Sequence, residues 1–173
     1  MTALAMVQAA ETDTATDRWP FPRIRGVRDS EIKPLMEMCV RLHEENGIGH
    51  RMDPNRVLAV IEKAVANKQG WIGVIGDNGR IEGSICLLIN QMWYSDQWCI
   101  EEFWNYVLPE YRQSDNAKQL IRCAKWVSDE MGMPMLISIL SNIRTEAKIR
   151  MYRRELGEPA GAFFLYGAKT GER

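Results

Sequence analysis

Histidine and cysteine are scarce in this chain, two and four among 173 residues. Cys39, Cys86, Cys99 and Cys123 stand singly among apolar residues with no CxxC pair, and two histidines cannot complete a ligand set around them. Neither a disulfide framework nor a metal centre is expected; reduced cysteines packed as small hydrophobes are. Charge of one sign is lacking too. Against 22 Lys and Arg stand 23 Asp and Glu, a net charge of -1, so there is no global pull toward nucleic acid or membrane and any electrostatic recognition must be local. No apolar run approaches the length that spans a bilayer. The opening MTALAMVQAAETDTATDRWP has no basic start and soon turns acidic, a poor match to a secretory signal. A soluble, cytoplasmic, metal-free protein is the expectation.

What is present is the apolar and charged balance of one globular domain. Residues 1–20 read as a flexible arm that Trp19 could anchor, and 21–173 as a single domain. After the extended FPRIRGVR, a helix starts at Asp29 or Ser30 and stops at Gly47. A second follows Asp53 as N-cap, with Pro54 at its first position. Apolar β-formers on either side of GDNG predict a hairpin, and QWCIEEFWNYVLP a third long strand. NAKQLIRCAKWVSDEMG is helical with Gly132 as its stop, and MPMLISILSN has the near-continuous apolarity of a strand covered on both faces. RTEAKIRMYRRELG is a last helix, and AGAFFLYGAK a last strand. The fold class is therefore α/β (α+β): a central mixed, mostly antiparallel sheet flanked by helices, in the order β-α-α-β-β-β-α-β-α-β.

The stretch PEYRQSDNAKQL joins a strand to a helix through a turn without glycine. Helix-start amides and the positive end of the helix dipole attract anions through the main chain alone, so the amides of Gln113 to Ala117 can cradle one despite Asp115. That carboxylate must then point away, capping the helix, while Ser114, Asn116, Arg112 and Lys118 stay available. The order of elements, VLPEYRQSDNAKQLIRCAKWVSDEMGMPMLISIL and IRMYRRELG together resemble the GCN5-related N-acetyltransferases, which transfer acetyl from acetyl-CoA to an amine. The topology covers residues 22–168 and the motifs Val107 to Gly157. Val107, Pro109 and Arg112 match a V-x-P-x-x-R stretch, and Arg112 to Ala117 reads R-x-x-D-x-A, with Asp115 where that family usually has glycine. The resemblance implies that Val107, Arg112, Gln113, Ser114, Asp115, Asn116, Ala117 and Lys118 bind acetyl-CoA, the acetyl donor. It also implies that Tyr152 is the acid for the departing thiolate, although Gly157 lies one residue further from it than the family spacing. Homodimers are common in that family, and the apolar AGAFFLYG could pair.

Attack on the thioester also needs a proton acceptor, for which Glu102 on the long strand is preferred over its neighbour Glu101. Simple alternation puts Ile100, Glu102, Trp104 and Tyr106 on one face and Glu101, Phe103, Asn105 and Val107 on the other, unless a bulge intervenes. The other readings are a packed Tyr152, on a stripe with Ile149 and Leu156, and a solvent-facing Glu102. Between Ser95 and Glu110 there are four acids and no Lys or Arg. With Trp93, Tyr94, Trp98 and Trp104 they would suit a cationic amine acceptor. Arg144, Lys148, Arg150, Arg153 and Arg154 on the last helix are a solvated basic face, a seat for the CoA 3′-phosphate or, with no RNA-binding signature to support it, a nucleic-acid contact. His43 and His50 have no ligand spacing, and the loop NGIGHRM could shape an acceptor site. The competing function is a non-catalytic binding or structural module on the same fold.

Overall fold

The computed structural model describes residues 19–164 apart from 48–50, 67–68, 78 and 142. The expected arm, His50 and residues 165–173 lie outside them. The order is β1 (Ile24–Gly26), a 3₁₀ turn (Asp29–Glu31), α1 (Ile32–Asn46), α2 (Pro54–Val65), β2 (Gly70–Ile75), β3 (Gly83–Gln91), β4 (Trp98–Val107), a second 3₁₀ turn (Pro109–Tyr111), α3 (Asn116–Met131), β5 (Met135–Leu136) and α4 (Thr145–Leu156). The strands form one sheet in sequence order, antiparallel except for the parallel β4–β5 pair.

Local chemistry accounts for most boundaries. The Asp53 carboxylate accepts the Asn55 amide at 2.9 Å with Pro54 at the first helical position, and Gly132 ends α3 with φ 60°. At α1 the signal differs from the one expected: Glu31, not Asp29 or Ser30, accepts the Arg28 amide at 3.0 Å and both terminal nitrogens of Arg25 at 2.6 Å. Buried and hydrogen-bonded to a guanidinium, Glu31 has its carboxyl held below the ordinary range.

Apolar side chains cover both faces of the sheet. Leu35, Met38, Cys39, Ile61 and Ala64 of α1 and α2 pack on Val74, Cys86, Leu88, Trp104 and Tyr106. Leu120, Cys123, Ala124 and Val127 of α3 pack on Trp71, Ile85, Leu87, Ile100 and Val107. All four cysteines are free and buried. Trp19 does anchor the chain before β1: its indole N–H meets the carbonyls of Phe21 and Ile24, and its ring stands edge-on to Phe21, Trp71 and Trp126. Among the described residues no helix is long and apolar enough to cross a membrane.

Three expectations are corrected. Uninterrupted alternation along β4 fails, because Cys86 pairs with Trp104 and Leu87 with Glu102, leaving Phe103 as the extra residue of a bulge. Ile100 consequently belongs to the α3-side core and Trp104 and Tyr106 to the other. The strand expected throughout MPMLISILSN is reduced to two residues, and it is not covered on both faces, since Leu136 and Leu140 are 39% and 53% exposed. Past Leu136 the chain diverges from β4, and the Ser138 amide turns to the Glu102 carboxyl instead of extending the ladder. Of the last strand expected in AGAFFLYGAK, residues 160–164 are not in a strand and the remainder lies outside the described residues.

Candidate active site

The turn before α3 has no need of glycine. Asp115 sits at φ -90° and ψ 10°, a conformation open to any L-residue. Its carboxylate does not cap the helix; it is 56% exposed, accepts the Gln119 amide at 2.9 Å and faces Arg23 at 3.7 Å. The Ser114 hydroxyl donates to the Tyr111 carbonyl and accepts the Asn116 amide. The backbone N–H groups of Asp115, Ala117 and Lys118 donate to no group among the described residues, the usual state of a helix start able to take an anion.

The side chains expected to help are differently engaged. Arg112 donates from Nε to the Val107 carbonyl and from a terminal nitrogen to Glu45 of α1, so its charge is already paired. Asn116 is fully buried and turned inward to Glu82 at 3.1 Å. Lys118 pairs with Glu155 at 3.6 Å, tying α3 to α4, and Gln113 is exposed.

Two adjoining cavities flank Tyr152. The first, of about 190 Å³, lies between the end of β4, the turn and α4, and its lining includes Val107, Arg112, Ser114, Ala117, Arg144, Lys148 and Tyr152. The second, of about 160 Å³, reaches from Tyr152 and Lys148 to Glu102, Ser138 and Ser141, with Leu42 and Asn46 of α1 at its side. Asn105, Tyr106, Lys148 and Tyr152 are common to both. Tyr152 is more than a packed ring: its hydroxyl accepts the Asn105 amide at 3.0 Å.

Electrostatics distinguish the polar groups here. Burial pushes the Glu102 carboxyl up to about 8 against the opposing Ser138 amide, so the solvent-facing alternative does not hold; the side chain belongs to a residue 7% exposed. Burial, then the neighbouring Glu102, raises the Tyr152 phenol well above its ordinary value, while Asn105 opposes the rise. Lys148 is lowered by burial. Burial acts to raise Glu45, but hydrogen bonds from Arg112 and Tyr106 outweigh it and hold that carboxyl low. The buried Asn105 Oδ1 and Glu45 Oε1 have no hydrogen-bond partner, a cost that proteins seldom carry away from functional clefts.

Four residues of this site were not singled out as ligands or catalysts by sequence: Glu45, Asn105, Lys148 and Ser138. A signal existed for one of them, because Arg144, Lys148 and Tyr152 recur every fourth residue on α4 and therefore share a face. For Glu45, 67 residues from Arg112, there was none. The acids between Ser95 and Glu110 do not gather into one surface with the aromatics. Glu102 and Trp104 are buried and Glu110 pairs with Arg41 at 2.8 Å, while Trp93, Tyr94 and Trp98 stand exposed around the β3–β4 connection. His43 lies in the last turn of α1 and lines neither cavity. No group of three or more His, Cys, Asp or Glu that could hold a metal occurs among the described residues.

No protein-family model matches the chain, and no curated protein matches it either. Solved structures do. An acetyltransferase of Trypanosoma brucei superposes with a TM-score of 0.60 at 20% identity, over 82% of this chain and 95% of that one. AAC(6')-Iy, in complex with the bisubstrate analogue CoA-S-monomethyl-acetylneamine, gives 0.62 at 17%, over 83% and 95%. The aminoglycoside acetyltransferase meta-AAC0020 from an uncultured soil metagenomic sample, in complex with trehalose, gives 0.61 at 16%, over 86% and 97%. The chain has the fold of these acetyltransferases.

Proposed function

We propose that the protein is an acetyl-CoA-dependent N-acetyltransferase that passes the acetyl group to a primary amine by direct attack. The observation that carries this reading is the meeting of two cavities at Tyr152: one runs to a helix start with free amides, the other to a buried carboxyl. The first suits an extended anionic donor. Its phosphates would rest on the amides of Asp115 to Lys118 and the Ser114 hydroxyl, with Arg144 at the same cavity, and its thioester would lie near Tyr152.

Arg112, whose charge Glu45 takes up, serves instead to clamp the turn to α1. Asn116 supports the turn from within through Glu82. Val107, Gln113, Ala117 and Lys118 contribute backbone and shape rather than charge.

An amine in the second cavity attacks the thioester carbonyl carbon. The C–N bond forms as the C–S bond breaks, Glu102 takes the proton that nitrogen sheds, and Tyr152 gives a proton to the departing thiolate. Asn105 donates to the Tyr152 oxygen, which leaves the phenolic proton directed elsewhere and favours the phenolate that forms. The Glu102 carboxyl, poised near 8, serves as base in its ionised fraction.

A thermal melt with excess acetyl-CoA, and with free CoA alongside, tests the donor site. Ligand at 100 times its Kd adds about 2.7 kcal/mol and a clear rise in midpoint. No rise at millimolar ligand would leave the turn a plain helix start and the non-catalytic module in its place.

A further inference from the structure

We infer that the second cavity selects an amine that also carries a carboxylate, such as a small α- or ω-amino acid, with Lys148 as the counter-ion. The inference rests on the acetyl-transfer reading and names the acceptor class for it. Two charged side chains line this cavity among the described residues, Glu102 and Lys148. They are not equals at neutral pH, where the buried Glu102 keeps its proton up to about 8 while the lysine remains a cation. The cavity is thus electropositive, although the chain as a whole is not.

Lys148 is also incompletely neutralised. Its Nζ donates to the Ser141 Oγ at 2.6 Å, and Glu45 Oε1 stands 4.0 Å away, beyond hydrogen-bond reach. The other Glu45 oxygen is taken by Arg112 and by the Tyr106 hydroxyl. One carboxylate therefore faces two cations, and an ammonium with three donors has at least one left for a ligand. The Ser138 and Ser141 hydroxyls lie on the same side, Ile139 and Leu140 offer apolar surface for a short carbon chain, and the reacting nitrogen belongs toward Glu102 and Tyr152. At about 160 Å³ there is room for a small molecule and not for a bulky one. A diamine would set its second ammonium against Lys148, at a cost in binding.

The test is CoA-thiol release from acetyl-CoA by wild type, Lys148→Met and Lys148→Arg. The acceptors are glycine, β-alanine and 4-aminobutyrate, against methylamine, ethylamine, propylamine and putrescine. The wild type should favour the best carboxylate-bearing amine over its carboxylate-free counterpart by about tenfold or more in kcat/KM, the worth of one charge-assisted contact. Lys148→Met should collapse that ratio toward one, and Lys148→Arg should restore part of it. Preference for putrescine or simple amines overturns the inference, as does a ratio that survives in Lys148→Met. Melts of the same proteins with each amine, with and without CoA, read binding directly: amino acids should raise the wild-type midpoint and not that of Lys148→Met. Acetyl-CoA binding without any response to the amino acids sinks the inference alone, whereas failure of acetyl-CoA to bind sinks the acetyl-transfer reading, and the melts without CoA still decide the role of Lys148.

Discussion

Replacing Glu102 by Gln removes an ionisable group from the wall of the second cavity while keeping its size and a carbonyl that can accept the Ser138 amide. Glu102 is 7% exposed, and burial lifts its carboxyl from 4.5 to about 8. In the unfolded chain the same carboxyl ionises near its ordinary value. Between those two values the native protein holds a proton that the unfolded chain has released, so native stability must fall as pH rises through that window. At about 1.4 kcal/mol for each pH unit, the whole window is worth roughly 5 kcal/mol. Below it the group is protonated in both states, and above it ionised in both, so the slope disappears at either end. Glutamine has nothing to titrate. The variant should match wild type at about pH 4 and exceed it by roughly 3–5 kcal/mol at about pH 9. Urea denaturation of both proteins at steps across that range measures the difference, in which all other titrating groups cancel. Parallel stability curves would refute the account of Glu102 as a carboxyl kept neutral by burial. Activity should show the same titration from the other side, with kcat/KM rising through about pH 8 in wild type and the dependence lost in the variant.

Tyr152→Phe should lower turnover by about 10²- to 10⁴-fold while leaving the acetyl-CoA melting shift in place; full turnover removes the phenol from the mechanism. Arg112→Ala strands the carboxylate of Glu45, whose side chain is 10% exposed, and should cost about 2–4 kcal/mol in denaturant titrations. The double variant with Glu45→Gln should recover part of that loss, and a simple addition of the two single effects would show that the pair is not coupled. Asp115→Gly should lower stability by no more than about 1 kcal/mol, since φ at Asp115 is already relaxed and glycine only loosens the unfolded chain. Removing that carboxylate should leave acetyl-CoA binding equal or tighter in the same melts, and weaker binding would mean that Asp115 itself helps to hold the donor.

Features set by neighbours along the chain were legible in the sequence. Asp53 with Pro54 marks the start of α2, Gly132 the end of α3, and the spacing of Leu120, Ala124 and Val127 the buried side of that helix, because each signal acts within a turn or two. The same holds for the free amides ahead of α3, which any helix start supplies. Glu102 and Tyr152 could be nominated, but their environment could not, since it depends on how β4 and β5 separate. Phe103 looks like any strand residue, yet as the extra residue of a bulge it redirects every side chain beyond it. The short pairing of β5 is equally hidden, for Ile137 and Ile139 have strong strand preference and lack only a partner. Glu45 shows the limit most plainly. It is one acid among several at the end of α1, and Arg112, Tyr106 and Lys148, which give it meaning, come from β4, the turn and α4.

The partition formed by Asn105, Tyr106, Lys148 and Tyr152 is one side chain thick and belongs to both cavities. Molecules bound on its two sides therefore press on the same four groups, and neither can be held without altering what the other meets. Linkage then fixes a symmetry: whatever factor the donor adds to the affinity for the amine, the amine must return to the affinity for the donor. A partition this thin makes the two substrates each other's effectors, with no further machinery required.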